Sequence, residues 1–175
     1  VWWQAIAGIR LLLFSGCRKN EILTARWEQV DIERGILNLK NAKGGDRPVW
    51  LNAPALAVLD GLPRLKDNPW VLPGKAPKKP FAGLQVIWNQ IRTAAGLDGV
   101  RLHDLRHSVA SEGRMAGLPL GILQGLLGHK ESRTTEKYAH IGPSPVQEAA
   151  ETIGKRIEAA MAPKNEVDQA EVIQH

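Results

Sequence analysis

An α+β fold, mainly helical and carrying a small antiparallel three-stranded sheet, is predicted by three observations. Apolar residues recur at helical spacing over most of the 175-residue chain, which is the periodicity of amphipathic or buried helices. Between Trp27 and Leu51 that spacing gives way to short β-branched and aromatic runs around a glycine turn. Glycine and proline then punctuate the helical segments at intervals that fit helix ends.

The elements follow in order. Trp2, Ile6, Ile9, Leu12 and Leu13 repeat at helical spacing and stop at Ser15-Gly16, so a first helix packed in the core is expected. A second, short helix carries Glu21-Ile22-Leu23. Trp27 to Ile32, Gly35 to Leu39 and Pro48 to Leu51 read as three strands, with Lys43-Gly44-Gly45-Asp46 as the turn between the last two. Pro69 to Pro80 holds Gly74, Lys75, Lys78 and Lys79 between prolines and is expected to be a basic surface loop, either solvated or lying against phosphates. Pro54 to Leu65, Ala82 to Ala95, His103 to Ala116, Pro119 to Leu126 and Pro145 to Met161 read as helices. The last of these has Val146, Ala149, Ile153, Ile157 and Ala160 on one stripe, which can serve its own core or a neighbouring protomer. One domain is expected over residues 1–161, and a flexible tail over 162–175.

Composition narrows the class of function. A net charge of +5, from 23 basic against 18 acidic residues, and a pI near 9.6 suit a polyanionic partner without demanding one. One cysteine, Cys17, excludes an internal disulfide and a cysteine-based zinc cluster, and fits a reducing cytoplasm. No run nears the roughly 18 apolar residues that read as a membrane span. Val1-Trp2-Trp3 lacks both an initiator methionine and the cationic start of a signal peptide, so a preceding N-terminal segment is expected.

Three segments carry chemistry. In Gly16-Cys17-Arg18-Lys19-Asn20-Glu21 a glycine turn delivers Arg18, and Glu21, three residues on, lies on the same helical face. In His103-Asp104-Leu105-Arg106-His107 the i, i+3 offset puts one imidazole and one guanidinium together, with Asp104 suited to the helix start. The two histidines four apart are also the spacing of a zinc pair, but Arg106 in the same turn would repel a dication. Leu126-Leu127-Gly128 ends a helix with a glycine fit for a left-handed cap and presents His129. Nine residues later comes Tyr138, the single tyrosine, on a short helix from Thr134. Taken singly, each has an ordinary reading: an ion pair, a polar helix start, a capping histidine, a half-buried tyrosine. Together, Arg18, a turn lysine, His103, Arg106, His129 and Tyr138 form a set able to cleave a phosphodiester without a metal. Two arginines would stabilise charge at phosphorus, lysine or histidine would move protons, and the phenol would attack.

These segments resemble the boxes of the tyrosine recombinases, the phage-integrase family that includes the Xer recombinases. The matching stretches are Leu12 to Leu23, Leu102 to Ser111, and Leu127-Gly128-His129 with Thr135 to His140; the likeness spans about residues 1–160. The resemblance implies a catalytic domain in which Tyr138 attacks a DNA phosphate to give a 3′-phosphotyrosyl link and a free 5′-hydroxyl. It implies that Arg18 and Arg106 bind the scissile phosphate, His129 donates a further hydrogen bond, His103 assists proton removal from Tyr138, and Glu21 orients Arg18. The general acid is placed at Lys43 of the hairpin, with Lys40 as competitor. The expected partner is double-stranded DNA, with a homotetramer on synapsed DNA and a monomer as the alternative for the isolated chain. No cofactor and no metal are implied, and the expected location is the cytoplasm of a bacterial host, the gene being bacterial or phage-borne. The resemblance implies that an N-terminal core-binding domain usually accompanies such a domain, and it is expected to be the piece absent from this chain. The alternatives are DNA relaxation in the manner of a type IB topoisomerase and a noncatalytic DNA-binding module of the same fold.

Overall fold

The computed structural model describes residues 2–40, 45–128 and 144–163. The expectations for Lys43, His129, Tyr138, the helix from Thr134 and nearly all of the tail fall outside the described residues.

Helix α1, Trp2–Ser15, runs through the core. Leu12 of the expected stripe is buried and Ile9 and Leu13 pack against the core, but the first turns of the stripe do not. Trp2 and Ile6 are exposed, while Ala5, Gly8, Leu11, Leu12 and Ser15 are buried. In the N-terminal half the buried face follows small residues at helical spacing because other chain segments approach closely there: a Cβ on Gly8 would meet Leu72 Cδ1 at 3.3 Å. Gly16, at φ 64°, then turns the chain into α2, Lys19–Leu23.

The three-stranded sheet is present and antiparallel in the order β1-β2-β3, with β1 Val30–Asp31, β2 Ile36–Leu39 and β3 Arg47–Trp50. The first strand is shorter than expected. Trp27–Gln29 coils into a 3-10 helix, because Gln29 Oε1 accepts the Arg26 backbone N–H at 2.9 Å; such a local bond competes with the strand ladder. Across β2 and β3 the register pairs Leu37 with Val49 and Leu39 with Arg47. Leu37, Leu39 and Val49 are buried, so Arg47 occupies an inward position by the period of two.

The remaining helices are α3 Ala53–Asp60, α4 Leu84–Ala94, α5 Asp104–Met115, α6 Leu120–Leu127 and α7 Ser144–Met161. α3 stops well before Leu65, at Gly61. α7 packs on α1, α3, α5 and α6, with Ala149, Ile153 and Ile157 buried. Its apolar stripe therefore serves the core of its own chain, although Ala160 is exposed. The segment between α3 and α4 is a further correction. Lys75, Lys78 and Lys79 are exposed as expected, yet Val71 and Leu72 are core residues, pinned by backbone bonds from Val71 N–H to Ala25 O and from Phe81 N–H to Leu72 O. The lysines and prolines mask two apolar anchors.

Asn52 ties these layers together. Fully buried, it caps α3 by accepting the Ala55 N–H at 3.1 Å. Its amide donates to Phe14 O of α1 at 2.9 Å and Ala150 O of α7 at 3.1 Å. Asn52→Ala removes the cap and the two buried bonds that the amide donates, so it is expected to destabilise the fold by about 2–4 kcal/mol. Urea unfolding of wild type and variant checks this; equal midpoints would show that the tie contributes nothing.

Candidate active site

Arg18 sits between the Gly16 turn and α2, where Glu21 fixes it twice. Glu21 Oε2 accepts the Arg18 backbone N–H at 2.8 Å, and Oε1 accepts Arg18 Nη1 at 3.0 Å. This is the pairing expected from the i, i+3 spacing. Glu21 has a second cation as well, Arg47 Nη2 at 3.0 Å from Oε2. Burial alone would raise the Glu21 carboxyl, but the Arg18 N–H, the Arg47 charge and the Arg18 guanidinium outweigh it and hold the group below its ordinary range.

Arg106 enters from α5 and is almost wholly buried. Nη1 donates to Gly16 O and Nη2 to Leu127 O. One planar fork thus locks the turn before Arg18 to the end of α6. Gly16 must be glycine here, since a Cβ would lie 2.8 Å from Leu127 Cδ2 on a positive-φ backbone. Burial, followed by repulsion from Arg18 and Arg47, lowers the Arg106 pKa to about 10, so it remains a cation at neutral pH. A guanidinium has five N–H donors. With two donated to carbonyls, others remain for an anion.

Arg106, His103, Leu102, Cys17, Lys19 and Gln85 line a cleft of about 400 Å3, with Arg101 at its edge. His103 lies at the start of α5, its ring edge-on to His107 with centroids 5.0 Å apart. Partial desolvation, then the neighbouring His107, Arg106 and Arg101, push the His103 pKa below its ordinary value, which favours the neutral ring. Asp104 is absorbed by Arg101, whose side-chain and backbone hydrogen bonds hold its carboxyl at about 2. Asp104 is therefore a structural anion at the helix start.

At the end of α6, Gly128 adopts φ 65°, the left-handed cap expected. Lys40 points to the surface and pairs with Asp46 at 3.0 Å. Among the described residues no group of three or more His, Cys, Asp or Glu side chains could hold a metal. The sequence reading brought Arg18, Glu21, His103 and Arg106 forward, and the fold assembles all four. It passed over Arg47 as a site residue, though a charge at an inward strand position was the available signal. It also passed over Lys19 and Gln85, whose place in the cleft depends on how α2 and α4 pack.

The sequence profile of the phage integrase family matches residues 2–144. The chain belongs to the phage integrase family. Among members, the tyrosine recombinase XerA of Pyrococcus furiosus is 28% identical over 149 residues, covering 82% of this chain and 52% of that protein. This chain spans about half the length of such curated relatives. Solved folds agree: the integrase of mycobacterium phage Brujita superposes with a TM-score of 0.69 at 22% identity, over 86% of this chain and 52% of that one. A XerH site-specific recombinase, solved as a post-cleavage complex with its palindromic difH substrate, superposes with a TM-score of 0.55 at 23% identity, over 85% of this chain and 45% of that one. Both likenesses bear on the fold. Arg106 lines the cleft and holds Gly16 O, two residues before Arg18, whose charge acts on it.

Proposed function

We propose that this chain is the DNA-cleaving and rejoining domain of a site-specific recombinase or integrase. The observation that carries the reading is the nearness of two anchored arginines, Arg18 on Glu21 and Arg106 on two backbone carbonyls, with Arg106 and His103 lining one cleft. Arg18 and Arg47 share the Glu21 carboxylate and Arg106 lies near all three, an excess of positive charge fitted to a phosphodiester. The DNA complex of the XerH relative supports double-stranded DNA as the partner.

In this reading Tyr138 Oη forms a bond to phosphorus while the bond to the 5′-oxygen breaks, and the departing oxygen takes a proton. Lys43 supplies that proton, with Lys40 as competitor; His103 receives the phenol proton and His129 donates a hydrogen bond to a phosphate oxygen. A 5′-hydroxyl of another strand then reverses the step. The phosphoester energy stays in the phosphotyrosine, so neither ATP nor a metal enters. Synapsis of two DNA sites places four copies together, giving a homotetramer on DNA.

The test is covalent trapping with EDTA present, using nicked duplexes tiled across the DNA that flanks the protein's own coding sequence. An adduct on denaturing gels, mapped to Tyr138 by peptide mass, is expected. Its absence with the full-length recombinase on its native site would overturn the reading, and relaxation of any supercoiled plasmid without strand exchange would move it to a topoisomerase.

The rate should also depend on pH through His103. A protonated imidazole cannot take the phenol proton, and its surroundings disfavour the charged form. The acid limb of single-turnover cleavage is therefore expected below the ordinary histidine value of 6.5. His107→Gln removes one of the repelling charges and should move that limb upward. A limb above 6.5, or one unmoved by the substitution, would remove His103 from the proton path.

A further inference from the structure

Arg47 is the first residue of β3 and faces inward beside Leu39 and Val49, where an aliphatic side chain would satisfy the core. Its guanidinium is largely buried, and only Nη2 has a partner, Glu21 Oε2. Nε and Nη1 are buried without any hydrogen-bond acceptor among the described residues. The plane lies directly against Gly128: a Cβ added there would be 2.5 Å from Arg47 Cζ and from Nε. The neighbouring carbonyl, Leu127 O, is held by Arg106. Two guanidiniums therefore hold the end of α6, one by hydrogen bond and one by contact, immediately before His129.

Two unpartnered buried N–H groups are unfavourable for folding, and removing one member of a buried ion pair is strongly destabilising chiefly where it leaves the other charge uncompensated. Glu21 would keep Arg18. Stability alone therefore does not account for an arginine at this position, whereas local rules broken at a site commonly mark function.

We propose that Arg47 is a positioning residue of the phosphate clamp, sharing the Glu21 carboxylate with Arg18 and bracing the Gly128 turn that leads into His129. By drawing on Glu21 Oε2 it leaves the Arg18 guanidinium less neutralised, and it adds its own charge to a cluster otherwise made of two arginines and one glutamate. Its flat face fills the space that Gly128 leaves open, so the turn cannot sink toward the sheet. This rests on the clamp reading above, but concerns a residue that does not touch the phosphate.

Arg47→Met and Arg47→Lys in the full-length protein separate the roles. In Arg47→Met the urea midpoint is expected to stay at or above wild type. The Glu21 carboxyl, followed by NMR, should titrate at a higher pH because a stabilising cation has gone. Covalent capture on the nicked duplexes should slow by about 10- to 100-fold, the usual effect of removing an outer partner of a charged site group, with DNA binding unchanged. Arg47→Lys, which restores charge without the flat fork, should recover part of the rate. Wild-type capture by Arg47→Met, or a stability loss that accounts for the slower rate, would overturn the proposal, as would an unmoved Glu21 titration. If wild type itself forms no adduct, the functional reading fails, and the Glu21 titration and urea midpoint still decide whether Arg47 acts on Glu21.

Discussion

Tyr138→Phe is expected to abolish covalent capture of DNA while noncovalent binding stays at wild-type strength. The substitution removes one oxygen and keeps the ring, so any packing by Tyr138 survives. Affinity for DNA comes mostly from cations that meet phosphates, and none of them is altered. The chain has no second tyrosine to substitute. A phenol with a pKa of about 10 is a poor nucleophile at neutral pH, and in the proposed mechanism His103 takes its proton while the arginines stabilise the charge at phosphorus. Gel-shift and denaturing-gel measurements on the same duplex decide the matter. An adduct that persists in the phenylalanine variant would place the nucleophile elsewhere and end the phosphotyrosyl reading. Lost gel shift together with lost adduct would instead show that Tyr138 is needed for folding.

What the sequence made legible, and what it did not, divides along physical lines. Arg18 and Glu21 were readable because their contact is local: three residues on a helix fix the geometry before any tertiary packing. The helices α4 to α7 were readable because glycine, proline and apolar spacing act within a single element. Arg106 was readable as a guanidinium beside His103, but its bonds to Gly16 O and Leu127 O join residues 90 and 21 positions away, and no local rule announces them. The first turns of α1 were misread for a related reason. Leu12, Ile9 and Leu13 of the expected stripe do meet the core, whereas the N-terminal half buries Ala5 and Gly8, at a tight approach, and leaves Trp2 and Ile6 outside. Trp27–Gln29 was lost to a side-chain cap, and Leu72 was hidden by lysines. Arg47 needed the strand register, which the pairing of Leu39 with Arg47 supplies.

That division explains why the clamp depends on tertiary structure although its motifs are short. Arg18 is anchored within its own helix, but its position relative to Arg106 is set by the Gly16 turn, which Arg106 itself holds. Glu21 links Arg18 to the sheet through Arg47. Arg18 and Arg47 thus share one carboxylate, and Arg106 holds the turn that precedes Arg18, so double substitutions within this set should not add.

The second large effect is expected at Arg106. Arg106→Ala removes the proposed phosphate donor, for which the loss of one oxyanion-type contact suggests about 2.7–4 kcal/mol in the cleavage barrier, or roughly 100- to 1000-fold in rate. It also leaves the Gly16 and Leu127 carbonyls without their donor, a cost of about 1–3 kcal/mol for a buried polar group. Relief of the repulsion between Arg106 and its neighbours Arg18 and Arg47 offsets part of that cost, so the rate should fall further than the stability. Arg106→Lys makes the sharper test. An ammonium cannot span both carbonyls and a phosphate as the planar fork does. The burial and like charges that lower the arginine to about 10 act on a group whose ordinary pKa is already only about 10.4. The lysine variant should therefore lose its charge, and its residual activity, at a lower pH than wild type loses the Arg106 charge. Single-turnover rates across pH, with urea midpoints on the same proteins, separate the two contributions. Wild-type rates in Arg106→Ala would refute the clamp, and a pH profile shared by wild type and Arg106→Lys would show that the charge at this position is not what the phosphate meets.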